Sequence, residues 1–233
     1  MLKHSVDELA LPTSRIVPDH EMAILAAENI DSTTSHLQTL CFAVAGGQIA
    51  PATLQVFLNT YLRGRPLTVI ATDERMTGVR ANTNAHQLEG VLNSLGQKEK
   101  IELVVPSQQV DIAESATRFA ADLMGSPPVD VALFGVGPDG HIASHFSSGS
   151  TVVSGRVTIV ENAPGSFPHR VTLSLPFLRD IPQRVALMAG REKVAVLKAL
   201  AINEDLPVNQ VHPTIWFISE AAMSSFHSSR DTK

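Results

Sequence analysis

The stretch VDVALFGVGPDGHIAS, residues 129–144, is the most informative part of this chain. Its first half is a continuous apolar run, which is typical of a strand buried on both faces of a parallel sheet. Its second half is a glycine-rich turn in which Asp139 and His141 stand two residues apart. Because ligands of open α/β sheets bind beyond the carboxyl ends of the strands, this turn is the first candidate for a functional site.

Apolar runs of the same kind recur on both sides of this stretch. They predict further strands at 40–45, 67–72, 101–105, 184–189 and 213–218. Helical patterns alternate with these runs, which indicates crossover connections and a mostly parallel sheet. Two more runs, 151–160 and 170–175, are typical of antiparallel or edge strands. We predict a single α/β domain over residues 1–233, with helices on both faces of the sheet.

Apolar residues at helical spacing mark the segments between the strands. They predict helices near 21–39, 51–62, 84–95, 111–124, 191–204 and 219–226. The first 20 residues include Pro12 and Pro18, so we expect an irregular or strand-like lead-in over 1–20. Residues 227–233 are polar, and we expect a frayed tail there.

The composition excludes several classes of protein. The 233 residues include 18 Lys and Arg and 23 Asp and Glu, for a net charge of −5, which argues against a general nucleic-acid binder. No apolar stretch approaches the roughly 18 residues of a membrane span, and no apolar leader is evident, so we expect a cytoplasmic protein with no membrane partner. Cys41 is the one cysteine, which rules out an intramolecular disulfide and a cysteine-based zinc site.

Glycine or charged residues also stand next to the ends of other predicted strands. Gly46-Gly47 follows a strand and precedes a helix, a pattern found both in anion sites and in plain tight turns. The charged triplet 73–75 follows the next strand, Arg170 opens a later strand, and Lys193 opens a helix. Arginine presents a fork that matches phosphate oxygens, although a solvated loop with local ion pairs would contain the same residues. The functional interpretation is an anion site at these strand ends.

The residue types in the 129–144 turn favour proton transfer. A histidine can take a proton from water near neutral pH. Asp139 could fix its tautomer or could contact substrate hydroxyls, and the sequence leaves both open. His145 is a competing base, and with His141 it has the spacing of a metal pair, but no third ligand is evident. The G-x-G lacks the third glycine and the acidic partner of a dinucleotide site.

Four segments together carry a resemblance to a known family. They are DER at 73–75, GVGPDGHIAS at 135–144, HRVTLSLPFL at 169–178 and GREK at 190–193. In this order and spacing they resemble the 6-phosphogluconolactonase branch of the glucosamine-6-phosphate isomerase/6-phosphogluconolactonase family. The resemblance runs from about residue 40 to about residue 222.

The resemblance implies a modified Rossmann-like fold and the hydrolysis of 6-phospho-D-glucono-1,5-lactone to 6-phosphogluconate, in the oxidative pentose phosphate pathway. It implies that His141 is the catalytic histidine, activating water, with Asp139 beside it. It implies a sugar phosphate lactone as the binding partner, and neither a cofactor nor a metal. The predicted substrate- and phosphate-binding set is Gly46, Gly47, Asp73, Arg75, Gly137, Arg170 and Lys193.

The chain departs from the family pattern in places. The family's glycine turn usually continues Ser-Thr-Pro, whereas here it continues through residues 48–51 as Gln-Ile-Ala-Pro. Deaminases of the family carry a carboxylate shortly after the histidine, whereas residues 142–160 contain no Asp or Glu. The alternatives are a glucosamine-6-phosphate deaminase or sugar-phosphate isomerase, and a non-catalytic sugar-phosphate-binding domain. The oligomeric state is not readable from the sequence.

Overall fold

The apolar runs form a parallel sheet through the middle of the fold. The structure is a computed structural model that describes residues 9, 11, 13–94, 101–146 and 151–229, with residues 151–154 described by their backbone alone. Within these ranges the strands are β1 (Ser14–Val17), β2 (Leu40–Val44), β3 (Leu67–Ala71), β4 (Asp73–Arg75), β5 (Ile101–Val104), β6 (Val131–Gly135), β7 (Thr151–Ser154), β8 (Val157–Val160), β9 (Arg170–Leu173), β10 (Gln183–Met188) and β11 (Ile215–Ser219). Seven of these described strands, in the order β1-β11-β10-β6-β2-β3-β5, pair in parallel.

Helices cover both faces of this sheet. In the described residues they are α1 (Met22–Thr34), α2 (Ile49–Thr60), α3 (Asn84–Asn93), α4 (Ile112–Gly125), α5 (Leu175–Arg179), α6 (Val194–Ala201), α7 (Pro207–Gln210) and α8 (Glu220–Ser228). Successive strand residues point to opposite faces. Phe42 belongs to the core cluster that contains α1 and α2, whereas Ala43 belongs to the cluster that contains α4, α6 and α8. This burial on both faces confirms the predicted α/β architecture.

A second sheet, antiparallel, has the strand order β4-β9-β8-β7. It confirms the antiparallel interpretation of the runs at 151–160 and 170–175. The chain passes from β3 to β4 through Thr72, whose N–H donates to the carbonyl of Val44 at 3.1 Å. The carbonyl of Thr72 accepts the N–H of Leu173 at 2.7 Å. This connection brings β4 and β9 to the carboxyl end of the parallel sheet, with Arg75 opposite Arg170.

The chain ends differ in part from the prediction. The lead-in contains β1, which pairs with β11 at the sheet edge. The tail prediction is wrong for residues 227 and 228, because α8 continues to Ser228 and the burial of Phe226 keeps its last turn on the core. Residues 230–233 lie outside the described residues.

Two helix boundaries also differ. The first helix ends at Thr34 rather than near 39, because a run of short polar side chains replaces the apolar positions there. The predicted 191–204 helix begins with a 3₁₀ turn over Arg191–Lys193 and ends at Ala201. Among the described residues, no helix has both the length and the apolar character needed to cross a bilayer.

Candidate active site

A cavity of about 450 Å³ opens at the carboxyl ends of β2, β3, β6 and β10. This is where ligands of a parallel α/β sheet are expected to bind. Eight of the nine residues predicted from the sequence line it: Gly46, Gly47, Asp73, Arg75, Gly137, His141, Arg170 and Lys193. The ninth, Asp139, is hydrogen-bonded to His141. The structure therefore brings the whole predicted set to one place.

Asp139 and His141 form a hydrogen-bonded pair at the cavity wall. Nδ1 of His141 lies 2.5 Å from Oδ1 of Asp139, and the backbone N–H of His141 donates to the same oxygen at 3.3 Å. Burial raises the pKa of Asp139, but the hydrogen bonds and charge of His141 outweigh it, so the pKa of Asp139 lies below its ordinary value. The ionised carboxylate places a proton on Nδ1, which leaves Nε2 free to accept one.

The loop after β6 has an unusual backbone that places this pair. The N–H of Gly137 donates to the carbonyl of His141 at 2.8 Å, and the N–H of Gly140 donates to the carbonyl of Gly137 at 3.0 Å. Ala143 has φ +48°, a left-handed conformation that is unusual for a residue with a Cβ. Strained residues of this kind occur most often where a site needs an unusual chain path.

His145 is the competing candidate for the base that the sequence offers, and it does not line the cavity. It is buried, with 6% of its surface exposed, and its Nε2–H donates to the carbonyl of Leu173 at 2.8 Å. Burial lowers the pKa of His145, although the Leu173 carbonyl and the Asp73 charge oppose this. His145 is therefore a neutral internal link between its loop and β9, and His141 is the histidine that faces the cavity.

Asp73 is a buried carboxylate that joins the histidine loop to the arginines. Its Oδ2 accepts the hydroxyl of Ser144 at 2.6 Å, and its Oδ1 accepts the hydroxyl of Thr72 at 3.1 Å. Nη1 of Arg170 lies 4.0 Å from Oδ2. Because Ser144 is three residues after His141, this network fixes the base relative to β4 and β9.

Arg75 and Arg170 lie directly opposite each other across β4 and β9. Nη1 of Arg75 donates to the carbonyl of Asn82, and Nε of Arg170 donates to the carbonyl of Phe167, both at 3.0 Å. Burial lowers the pKa of Arg170, and the charge of Asp73 opposes this. Like charges directly opposite destabilise a sheet. Two cations held in this way therefore favour an anion bound beside them.

The glycine turn after β2 is held by α3. The N–H of Gly47, which has φ +92°, donates to Oε1 of Gln87 at 3.1 Å, and the Gly47 carbonyl accepts Nε2–H of Gln87. The N–H of Gly47 is thus hydrogen-bonded within the protein and is not available to a ligand. The predicted phosphate-binding role of Gly47 therefore does not extend to its N–H. The N–H groups of Ile49 and Ala50 at the start of α2 find no acceptor among the described residues. A helix N-terminus of this kind attracts anions.

Asn84 is a cavity residue that the sequence analysis missed. It is buried, its Nδ2 donates to the carbonyl of Asp73 at 2.8 Å, and its side chain lies where Gly46 would carry a Cβ. Glu74 anchors this helix start, because its carboxylate accepts the N–H groups of Asn84 and Ala85 at 2.8 and 2.7 Å. The capping residue Thr83 signals a helix start at 84, but no local pattern shows that this start packs on a glycine turn far back in the chain.

Lys193 approaches the cavity from the turn after β10. Its side chain is 13% exposed, and its Nζ lies 3.3 Å from Oε1 of Glu192, a second cavity residue that the sequence analysis did not select. The lysine thus adds a third cation beside Arg75 and Arg170. In the part of the chain that the structure describes, no three His, Cys, Asp or Glu side chains group as ligands for a metal ion.

Comparison with curated proteins finds 6-phosphogluconolactonases among the relatives of this chain. A 6-phosphogluconolactonase of Pseudomonas putida is 30% identical over 220 residues, which cover 86% of this chain and 89% of that protein. A 6-phosphogluconolactonase of Rattus norvegicus is 37% identical over 105 residues, which cover 41% of this chain and 40% of the rat protein. The match thus spans less than half of the rat relative but most of the bacterial one.

The site and most of the fold lie within the region that a family model matches. A crystal structure of a 6-phosphogluconolactonase from Thermotoga maritima superposes with a TM-score of 0.77 at 21% identity, covering 90% of this chain and 100% of that one, which shows the fold alone. A family model described as glucosamine-6-phosphate isomerases/6-phosphogluconolactonase matches residues 19–217. That range holds strands β2 to β10, most of β11, the cavity and every predicted site residue from Gly46 to Lys193, and the chain therefore belongs to the glucosamine-6-phosphate isomerase/6-phosphogluconolactonase family.

Proposed function

We propose that this protein hydrolyses 6-phospho-D-glucono-1,5-lactone to 6-phosphogluconate. The observation that carries the proposal is the placement of the Asp139–His141 pair in the same cavity as three cations, Arg75, Arg170 and Lys193. The same cavity thus offers a base and a set of cations that can hold a phosphate. A sugar lactone with a phosphate at its far end needs both.

His141 acts as the general base in this proposal. Nε2 takes a proton from a water molecule while the water oxygen attacks the lactone carbonyl carbon. Asp139 stabilises the imidazolium that forms, because its carboxylate accepts the Nδ1–H of His141. The bond between the carbonyl carbon and the ring oxygen then breaks, the ring oxygen takes the proton back from Nε2, and the new carboxylic acid ionises. The step needs no redox cofactor, because no electrons are transferred.

The cations hold the phosphate and so orient the lactone. Arg75 and Arg170 can each present a fork to phosphate oxygens, whereas Lys193 supplies a point charge. The N–H groups at the start of α2 add donors where the family usually places hydroxyls. Binding energy from a group remote from the reacting bond contributes to rate by fixing the orientation of that bond. The same positive field favours the negative charge that develops on the carbonyl oxygen.

The experiment is a lactonase assay on freshly prepared 6-phosphogluconolactone, with 6-phosphogluconate detected through a coupled dehydrogenase. Spontaneous hydrolysis is measured in parallel and subtracted, and the His141→Asn variant serves as the matched protein control. We expect the wild-type protein to accelerate the reaction well above both controls. Equal rates for wild type and variant would contradict the proposal. Release of ammonia from glucosamine 6-phosphate would identify the deaminase alternative instead.

A further inference from the structure

Phe146 contacts both the base of the proposed site, His141, and one of its cations, Arg170. The centroid of its ring is 4.8 Å from the centroid of the His141 imidazole, with the two planes tilted by 41°. The guanidinium carbon of Arg170 lies 5.4 Å from the same ring centroid. Phe146 is half-buried and is not among the described residues that line the cavity. It can therefore act on a ligand only through its neighbours.

The loop path explains how the ring reaches both side chains. The left-handed Ala143 and the hydrogen bond from the N–H of His145 to the carbonyl of Ile142, at 2.9 Å, make a tight turn directly after His141. His145 is anchored to β9 by its bond to the Leu173 carbonyl. The turn thus places the ring of the next residue, Phe146, beside the imidazole of His141 and beside Arg170 at the start of β9.

We propose that Phe146 is a positioning residue that couples the base to the phosphate site, by holding the Arg170 guanidinium and the His141 imidazole against one aromatic ring. The face of an aromatic ring attracts cations. Arg170 is such a cation in the resting protein, and His141 becomes one when it accepts the proton of water. This inference rests on the proposed function for the role of His141, but not for the contact with Arg170.

Arg170 needs this support because its other contacts fix it incompletely. Its side chain is 13% exposed, and the nearest carboxylate oxygen, on Asp73, is 4.0 Å away. Its Nε–H donates to the Phe167 carbonyl, which holds one edge of the guanidinium plane. Arg75 lies opposite and repels it. A ring against the guanidinium restricts rotation out of the orientation that faces the cavity, and it offsets part of the loss of hydration.

The first test compares Phe146→Leu with a matched control, Phe177→Leu. Phe177 is also half-buried and also lies beside an arginine, with the guanidinium carbon of Arg156 5.5 Å from its ring centroid, but it is not a residue of this cavity. Binding of inorganic phosphate is measured by calorimetry. We expect Phe146→Leu to weaken phosphate binding about three- to tenfold, the range given by one cation–π contact. Phe177→Leu should bind phosphate like the wild type. Unchanged affinity in Phe146→Leu would overturn the proposal.

A double-mutant cycle separates coupling from a general loss of packing. In the Arg170→Ala background, Phe146→Leu should weaken phosphate binding no further, because the ring acts through the missing guanidinium. An undiminished second loss would overturn the proposal. If Phe146→Leu does not fold, pentafluorophenylalanine at this position keeps the shape and reverses the ring's electrostatics, and it should weaken phosphate binding in the same way. Wild-type affinity with the fluorinated ring would equally overturn it.

Kinetic constants on the phosphorylated lactone complete the test. Phe146→Leu should raise KM through Arg170 and also lower kcat through His141, whereas Phe146→Tyr, which keeps the ring, should restore both. A variant that changes neither constant would contradict the coupling. Phosphate binding needs no turnover, so a wild-type protein that binds phosphate but hydrolyses no lactone would refute the proposed function while leaving the Arg170 contact testable.

Discussion

The imidazole of His141 occupies the space in which residue 137 would carry a side chain. A Cβ on Gly137 would lie 2.1 Å from Nδ1 of His141 and 2.8 Å from Oδ1 of Asp139. These two atoms make the hydrogen bond that fixes the ring. Gly137 does not have a left-handed backbone, so space for the Asp139–His141 pair is the reason for a glycine here.

The Gly137→Ala variant should therefore lose activity without losing its fold. The added methyl group must displace the imidazole, so we expect kcat on the phosphorylated lactone to fall at least about tenfold, and by no more than the roughly 10²- to 10⁴-fold that a positioned base contributes. KM should change little. Gly90→Ala is the control, because Gly90 is exposed in α3 with open space around it. The control should keep full activity and gain up to about 1 kcal/mol of stability. A fully active Gly137→Ala would contradict this account of the turn.

Replacing the base itself should have a larger effect. We expect His141→Asn to lower kcat by about 10²- to 10⁴-fold, because water is no longer deprotonated, with little change in KM. Affinity for inorganic phosphate should stay near the wild-type value, since the cations remain. Steady-state kinetics measure kcat and KM, and calorimetry measures the affinity for inorganic phosphate. Near-normal turnover in His141→Asn would show that another group is the base.

Much of the fold follows from the sequence because each buried strand is a continuous apolar run. The pattern predicts the other strands of the parallel sheet and places β1 in a lead-in that is irregular or strand-like. It correctly separates the antiparallel pieces at 151–160 and 170–175. Helix ends are less well predicted, since they depend on tertiary contacts. The short helices α5 and α7 were not predicted, because four or five residues carry no measurable period.

The sequence predicts those site residues that a local sequence pattern marks. A glycine turn directly after a strand identifies His141 and Asp139, and charges at strand ends identify Arg75 and Arg170. Asn84 and Phe146 have no such signal, because their importance comes from what the fold packs against them. Asn84 lies 38 residues after Gly46 in the sequence, and strands β7 and β8 separate Phe146 from Arg170.

Arg170 should discriminate phosphorylated from unphosphorylated substrates. Loss of a charged hydrogen bond to phosphate costs about 1.5 to 3 kcal/mol, so Arg170→Ala should raise KM for the phosphorylated lactone about 10- to 100-fold. KM for an unphosphorylated gluconolactone should change much less. Arg156→Ala, whose guanidinium donates to the Leu123 carbonyl away from the cavity, is the control. Equal effects on both lactones would contradict a role in phosphate binding.

Cys41 should be inert in the folded protein. It is fully buried in β2, and burial, with the charges of Asp130 and Glu102, raises its pKa to about 12. At pH 8 such a thiol is ionised to only about one part in 10⁴, and the thiolate is the reactive form. Iodoacetamide at pH 8 should therefore modify Cys41 in urea and spare it in buffer, as mass spectrometry will show. Rapid modification of the native protein would refute this.

The raised pKa of Cys41 also predicts a loss of stability in alkali. The unfolded thiol ionises near its ordinary pKa of about 9, whereas the folded thiol keeps its proton until about pH 12. The contribution of the protonated thiol to the free energy of unfolding is thus fully present below pH 9. It declines as the pH rises, by up to about 1.4 kcal/mol per pH unit. Urea unfolding at pH 8.5 and 10.5 should show a steeper loss for wild type than for Cys41→Ala. Parallel losses would contradict the assignment.

His145 should give the protein its sensitivity to mild acid. Burial lowers the pKa of His145 in the fold, so below about pH 6.5, the ordinary histidine value, the unfolded chain takes up a proton that the folded chain does not. This shift favours unfolding as the pH falls. His145→Leu removes that effect, but it also removes the His145 hydrogen bond to the Leu173 carbonyl, worth about 0.5 to 1.5 kcal/mol, although that carbonyl still accepts the Thr172 hydroxyl at 3.3 Å. We expect the variant to be less stable than wild type at pH 7 and the difference to narrow at pH 5, as measured by urea unfolding. Turnover per folded molecule should fall much less than in His141→Asn, because His145 does not line the cavity and can affect the reaction only through the turn that it anchors to β9. A stability difference that widens in acid would contradict a lowered pKa for His145. A His145→Leu variant that folds but loses turnover as completely as His141→Asn would show that His145, not His141, is the base.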